Sequence, residues 1–473
     1  VEIVLALFLF VGQHRRRSGG EQDIHNNRIT QKTKTKYERG RLEYLTTYRS
    51  TISFLTYIAI LAVDFHIFPR KFAKTEEYGY GLMDLGAASF VICGGFVSRF
   101  ARTNTPASSN SSSSSTIMLL IKQMKKTLPL IIMGFIRLAS NKGLEYQEHV
   151  SEYGVHWNFF FTLTVVTIAS SLWRRKISSM KLWVIKDTMI PILMLVVYQF
   201  VLNHYGLQKY IEDGSRYCSK EQHRNGIVKY LYEYKLCQYL CNFFAANREG
   251  ILGCIGYTCL FVISEVIAKL CIWSSLQNDT TTNESTEEKK IENEKKYGHL
   301  VGTKLFTASF ILWCILFFLE YILHIPTSRR STNATFVVWA LAQNVLGLFL
   351  TWLAFFLCEE EGNIEKHDDG KYRSKESISK TNVSVSSSSP MIFEAANHHG
   401  MTIFIIANLL TGVVNLSINT LEVSDGCAVI VILAYLVSVG STALLLDWCG
   451  GVSGGIKSVV SFLSRKKSKE KSK

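Results

Sequence analysis

Cys427 to Leu446 reads CAVIVILAYLVSVGSTALLL, an unbroken run without one charged side chain. About twenty such residues let a helix cross roughly 30 Å of hydrocarbon, where every backbone polar group must be satisfied within the protein. The run predicts a membrane-spanning helix, and it has companions. Similar runs cover Thr51 to Phe68, Tyr80 to Val97, His156 to Trp173, Lys186 to Leu202, Gly250 to Trp273, Lys304 to Ile325, Ala334 to Leu357 and Met401 to Leu421. Leu128 to Ser140 is shorter and carries Arg137; it is expected to be a further span extended by the residues before it. Val1 to Gly12 is apolar but too short to span, and is expected to be the end of a cut transmembrane helix. A signal peptide would need a basic region before it and a small-residue cleavage site after it. The prediction is an all-α, polytopic integral membrane protein with about eleven transmembrane helices in this chain.

Composition points the same way. Of 473 residues, 48% are hydrophobic and only six are proline, which suits many long helices better than a soluble α/β enzyme. The formal charge of +14 invites a nucleic-acid partner, but its placement argues against one. Lysine and arginine crowd into Gln13 to Arg49, Arg174 to Lys186 and Arg465 to Lys473, the pattern of cytosolic loops. Residues 13–50 and the tail 447–473 are therefore expected in the cytosol, flanking a membrane domain over 51–446. Polar, low-complexity stretches near 103–116, 278–296 and 362–390 cannot bury enough apolar surface to offset ordering and are expected to be disordered cytosolic linkers. Eleven cysteines include no CxxC pair, and most fit as small buried hydrophobes. Cys218, Cys237 and Cys241 share a loop predicted on the opposite side, where disulfides could form.

Against the soft linkers stand a few short connections dense in polar, aromatic and glycine residues, the kind that carry chemistry. The topology above opens four of them on the non-cytosolic side: Asp64 to Asp84, Asn141 to Asn158, Asn242 to Gly250 and Pro326 to Thr335. Asp64 ends an apolar segment, with Lys74 ten positions on and Pro69 turning the chain between them. A carboxylate in apolar surroundings has its pKa raised, and a nearby lysine pulls it down again, leaving a group able to accept a proton; a structural salt bridge is the plainer alternative. Glu145, His149, Glu152 and His156 fall on one helical face, with Glu148, Trp157 and Asn158 beside them. Without an HExxH motif or a Cys/His cluster, these suit hydrogen bonding to a polyhydroxylated substrate or plain packing better than a metal. Asn247, Arg248, Arg329 and Arg330 sit at the mouths of spans, where arginine serves topology, headgroups or a phosphate clamp. Asn408 and Asn415 could line the site from inside a span. His398 and His399 lie at a linker edge on the predicted cytosolic side and are set aside. No serine elbow, P-loop or Rossmann fingerprint is present, so no soluble hydrolase or nucleotide-dependent enzyme is indicated. A secondary transporter using Asp64 and Lys74 for ion coupling is the alternative class, though no repeat relates the two halves.

Several of these segments resemble one family. AVDFHIFPRKFAK (Ala62 to Lys74), GLMDLG (Gly81 to Gly86), LEYQEHVSEYGVHWNFF (Leu144 to Phe160), ANREGI (Ala246 to Ile251), SRR (Ser328 to Arg330) and ANLLTGVVNLSINT (Ala407 to Thr420) are similar, in order along the chain, to the GPI-inositol acyltransferases, PIG-W in animals and Gwt in fungi. The resemblance implies an endoplasmic-reticulum protein of about thirteen helices. Its expected activity moves a fatty acyl chain, usually palmitoyl, from acyl-CoA to an inositol hydroxyl of glucosaminyl-phosphatidylinositol. It further implies Asp64 and Lys74 as the catalytic pair and more sequence before Tyr48 than this chain has. A thioester is already activated, so a base and a cation near the carbonyl oxygen suffice, with no tightly bound cofactor and no metal. Arg70, Lys71, Arg329 and Arg330 are then candidates for the phosphates of acyl-CoA. Asp84, the Glu145 to Asn158 loop, Asn247 and Arg248 are candidates for the sugar and its phosphate. The ending Lys469-x-Lys471-x-x is similar to a cytosolic dilysine retrieval signal.

Overall fold

The computed structural model describes residues 42–102, 116–143, 150–173, 185–218, 235–274, 287–369 and 389–450. The segment Val1 to Gly12, most of the basic loop, the serine-rich linker, Glu145, Glu148, His149 and the lysine tail lie outside them. The described residues are helical, with no strand among them. In chain order the helices are α1 (Glu43–Ala62), α2 (Leu82–Phe96), α3 (Thr116–Gly143), α4 (Phe159–Trp173), α5 (Ile190–His204), α6 (Leu207–Asp213), α7 (Lys235–Ala246), α8 (Arg248–Ala268), α9 (Glu287–Phe317), α10 (Ala334–Asp369), α11 (Met391–His398), α12 (Gly400–Ser417) and α13 (Asp425–Trp448).

Seven stretches among the described residues are long and apolar enough to cross a membrane: Leu82–Arg102, Asp187–His204, Arg248–Trp273, Tyr297–Ile322, Ala334–Cys358, Gly400–Ser417 and Asp425–Trp448. Each coincides with a span expected from the sequence, and the chain is an all-α polytopic membrane protein. Three other expected spans are helices of a different character. The apolar part of α4, Phe159–Leu172, is short. α3 carries Lys122, Lys125, Lys126 and Arg137. α1 is rich in Thr, Ser and Tyr because protein, not lipid, surrounds it: the Tyr48 hydroxyl donates to Asn344 Oδ1 of α10 at 2.7 Å, and Ser50 Oγ donates to Phe393 O of α11 at 2.6 Å. α1 also stops at Ala62 instead of running to Phe68, so Asp64 lies in the turn that follows.

α8 is the centre of the bundle and packs on α2, α4, α5 and α10. Its approach to α2 is close: a Cβ on Gly95 would lie 1.9 Å from Ser264 Oγ and 2.9 Å from Phe261 O, so only glycine fits there. Ile92, Leu260, Phe336 and Leu348 anchor the larger apolar cluster around this contact. A second cluster joins Tyr57, Leu61 and Phe65 to Ile403, Ala407, Tyr435 and Val439, tying the end of α1 to α12 and α13. Outward-facing Phe306, Phe310, Ile430, Leu433 and Val437 are exposed, as side chains facing lipid tails must be. α9 and α10 reach into stretches read as linkers, over 287–296 and 362–369.

Candidate functional site

The polar connections gather at one end of the bundle because the chain between α1 and α2 is bonded to the one between α9 and α10. Gly79 N donates to Thr327 O at 2.8 Å, and Arg329 Nη2 donates to Thr75 O at 3.2 Å. Pro69 starts a short 3-10 turn, Arg70–Phe72, that reverses the chain after Asp64. Arg70 Nη1 donates to Val63 O at 3.0 Å, capping a carbonyl at the end of α1. The Arg70 and Lys71 side chains are exposed, Lys71 lying 5.2 Å from the centre of the Phe72 ring.

Asp64 is held by α12. Asn415 Nδ2 donates to its Oδ2 at 2.8 Å, across 351 positions of sequence. The other amide atom, Asn415 Oδ1, is buried without a hydrogen-bond partner. Burial lifts the Asp64 carboxyl above the usual range, while the Asn415 bond and the charges of Arg70 and Lys74 pull it back. No described cation reaches ion-pair distance of Asp64. Lys74 is bonded elsewhere: its Nζ lies 2.5 Å from Glu152 Oε1.

That contact opens a chain of charges. Arg329 Nη1 lies 3.6 Å from the same Glu152 oxygen, and Arg329 Nε lies 2.8 Å from Asp84 Oδ1. Asp84 also accepts hydrogen bonds from Gly81 N at 2.8 Å and Thr75 Oγ1 at 3.0 Å, so its carboxylate reaches back to the residue that precedes α2. Burial pushes the Glu152 carboxyl up, but Lys74 and Arg329 outweigh it and hold the group below its usual range. Asp84, Glu152, Lys74 and Arg329, expected from sequence as separate contributors, are one network.

A second buried network surrounds Glu249. Arg216 grips it with Nη2 donating to Oε1 at 2.8 Å and Nη1 donating to Oε2 at 3.2 Å; Arg330 Nη2 stands 3.5 Å and Arg248 Nη2 3.8 Å from Oε1. Both arginines also donate to backbone, Arg248 Nε to Ile211 O at 3.0 Å and Arg330 Nη2 to Glu212 O at 3.0 Å, while Arg330 Nε is buried without a hydrogen-bond partner. Both side chains are buried or nearly so and occupied by protein acceptors. Arg216, which the sequence reading missed, sits in a loop with no pattern to mark it. Two residues on, Cys218 is disulfide-bonded to Cys241, while Cys237 keeps a free thiol.

Other expected site residues make hydrogen bonds within the fold. Asn247 Oδ1 accepts from His156 N at 2.7 Å, and Asn158 Oδ1 accepts from Phe160 N at 3.1 Å as the cap of α4. Trp157 Nε1 donates to Thr162 Oγ1, and Asn408 Nδ2 donates to Phe404 O of its own helix. Gly154 lets the first of these contacts form: its φ is +105°, and a Cβ there would lie 2.5 Å from Asn247 Cα. A narrow crevice between the two networks is lined by Glu152, Tyr153, Glu249, Tyr257 and Arg329.

The GWT1 family model matches residues 1–446. The chain belongs to the GWT1 family. Among its relatives, GPI-anchored wall transfer protein 1 of Candida albicans is 32% identical over 435 residues, covering 89% of this chain and 78% of that protein. The Yarrowia lipolytica protein of the same description is 32% identical over 418 residues, covering 86% and 72%. The one from Aspergillus fumigatus is 34% identical over 404 residues, covering 85% and 72%. GWT1 membership agrees with the resemblance carried by AVDFHIFPRKFAK and its companion motifs.

Proposed function

We propose that this chain acts in GPI-anchor biosynthesis as an O-acyltransferase of the endoplasmic-reticulum membrane, moving a fatty acyl chain from acyl-CoA to an inositol hydroxyl of glucosaminyl-phosphatidylinositol. The wall-transfer description of its GWT1 relatives supports the pathway. One observation supports the chemistry. Asp84, Glu152 and Glu249 each have a cation within ion-pair distance, whereas Asp64 is half-buried and held by a single neutral amide. A carboxylate that is oriented but not neutralised can still take a proton.

In this reading Asp64 accepts the proton of the inositol hydroxyl as its oxygen attacks the thioester carbonyl. The C–O bond forms, the C–S bond breaks, and the proton passes on to the leaving thiolate of CoA. Lys74, partly exposed and held by Glu152, is aimed from the same loop; it stabilises the oxyanion and keeps Asp64 ionised at rest. Arg70 and Lys71 are the accessible cations for the CoA phosphates, while Arg329 and Arg330 support the scaffold. Lipid tails lie in the apolar grooves between helices. The Cys218–Cys241 bond suits an oxidising compartment and supports placing this end of the bundle on the luminal side.

The test uses membranes carrying the full-length protein, glucosaminyl-phosphatidylinositol and labelled acyl-CoA. Label should enter the glycolipid with wild type and be lost with Asp64→Asn and Lys74→Ala while both variants remain inserted. Transfer at the wild-type rate in both variants would remove the assigned pair.

A further inference from the structure

At the end of α12 away from Asn415, three side chains converge from two places in the chain. His398 closes α11, His399 links it to α12, and Asp447 lies near the end of α13. His398 Nδ1 is 3.1 Å and His399 Nε2 is 3.7 Å from the same carboxylate oxygen, Asp447 Oδ1. One nitrogen from each ring and a carboxylate oxygen all fall within 4.8 Å of one another.

The first contact is explained as a hydrogen bond; the second is not. His399 Nε2 is shielded from solvent and has no hydrogen-bond partner, an arrangement that leaves a buried polar atom unsatisfied. We infer that His398, His399 and Asp447 form a site for a divalent transition-metal cation of the zinc class, which clamps the α11–α12 junction to the end of α13. The spacing fits. Ligands about 2.0–2.2 Å from a tetrahedral zinc stand roughly 3.4 Å apart, between the two distances found to Asp447. Two imidazole nitrogens and one carboxylate favour zinc over magnesium or calcium, which prefer all-oxygen shells. Three protein ligands leave the fourth position to water, and the half-exposed His398 and Asp447 give the ion a path in.

The site departs from the expectation of no metal, and it stands whether or not the acyl-transfer reading does. Its placement gives it a structural role. α11 packs on α1, which leads into Asp64, and α12 carries Asn415. A clamp at one end of α12 therefore steadies the helix whose other end positions Asp64.

The experiment uses the purified full chain in detergent, stripped with chelator and then titrated with Co2+ or dialysed against Zn2+. Wild type should take up one equivalent of zinc more than Asp447→Asn or His399→Ala, and its thermal midpoint should rise with zinc while those of the variants stay put. Cobalt should give the visible absorption of a tetrahedral nitrogen and oxygen site. Asp447→Asn keeps the side chain's shape, so monodisperse elution of that variant guards against simple misfolding. Equal metal content in wild type and Asp447→Asn overturns the proposal. So does a cobalt spectrum with thiolate charge-transfer bands, which would place the ion on a cysteine.

Discussion

Asp64 and Asn415 show how much one neutral amide can decide. A hydrogen bond donated to a carboxylate favours its ionised form, so removing Asn415 raises the Asp64 pKa beyond what burial already does. If the ionised form is the base, the acid limb of the rate profile moves to higher pH. Asn415→Ala should therefore lose about tenfold in acyl transfer for each unit of displacement at pH values below the new limb, and recover toward wild type at high pH. A rate lowered equally at every pH would instead mean that Asn415 binds substrate. Arg329 presents the opposite case, a cation holding the buried Asp84 and the partly buried Glu152. Arg329→Met strands the Asp84 carboxylate without its charge partner, and a loss of about 3–5 kcal/mol is expected in denaturant or thermal unfolding. Arg329→Lys should recover only part of it, since an ammonium lacks the fork that reaches Asp84, Glu152 and Thr75 O together. Asp64 and Lys74 stand out in the sequence as candidates because ionisable residues beside apolar runs are conspicuous. Their partners were not. Asp64 meets Asn415 across 351 positions and Arg329 meets Thr75 across 254, and no periodicity encodes contacts so distant.

Among the helices, legibility followed solvent. Helices facing lipid announce themselves through long apolar runs, and every run that qualifies in the structure was visible in the sequence. α1 was visible too, but its end was misplaced: Ile67 and Phe68 prolong the apolar run, while the chain has already turned at Val63. The misplacement matters, because it moves Asp64 from a helix into a turn that Asn415 can reach. Asn158 and Trp157 carry the residue types of a sugar site, and in the structure Asn158 caps α4 while Trp157 Nε1 donates to Thr162 Oγ1. The element that sets this region is the Gly154 to His156 turn, zipped to the start of α8 through Val155 N to Ala246 O and His156 N to Asn247 Oδ1. Gly154→Ala adds a Cβ at a positive φ and against Asn247, a strain of roughly 1–3 kcal/mol before any clash is counted. Its expected outcome is a lower unfolding midpoint together with impaired transfer, because Glu152 and its hold on Lys74 precede this turn. An unchanged midpoint would mean that the turn relaxes freely.

At the scale of the whole molecule, the bundle separates its duties by end. One end carries Asp64, the Lys74 to Asp84 network and the Glu249 knot; the other carries the paired histidines and Asp447. The first end is fastened by something the sequence could suggest but not assign, the bond from Cys218 to Cys241 with Cys237 left free. Its sequence separation of 23 residues makes the stabilisation expected from restricting the unfolded chain about 3 kcal/mol. The bond also has a local consequence, because Arg216 lies two residues from Cys218 and grips the fully buried Glu249. Freeing that loop loosens one of three arginines around a carboxylate that has no solvent to fall back on. Cys218→Ser should therefore lower the thermal midpoint of the purified chain and make it insensitive to reductant, while reductant should bring wild type down to the same value. A Cys237→Ser chain, whose disulfide is intact, should behave as wild type in both states. If reductant leaves wild type unmoved although free-thiol counting shows the bond open, the loop is held by Arg216 and its backbone contacts alone, and the disulfide contributes nothing to this end of the bundle.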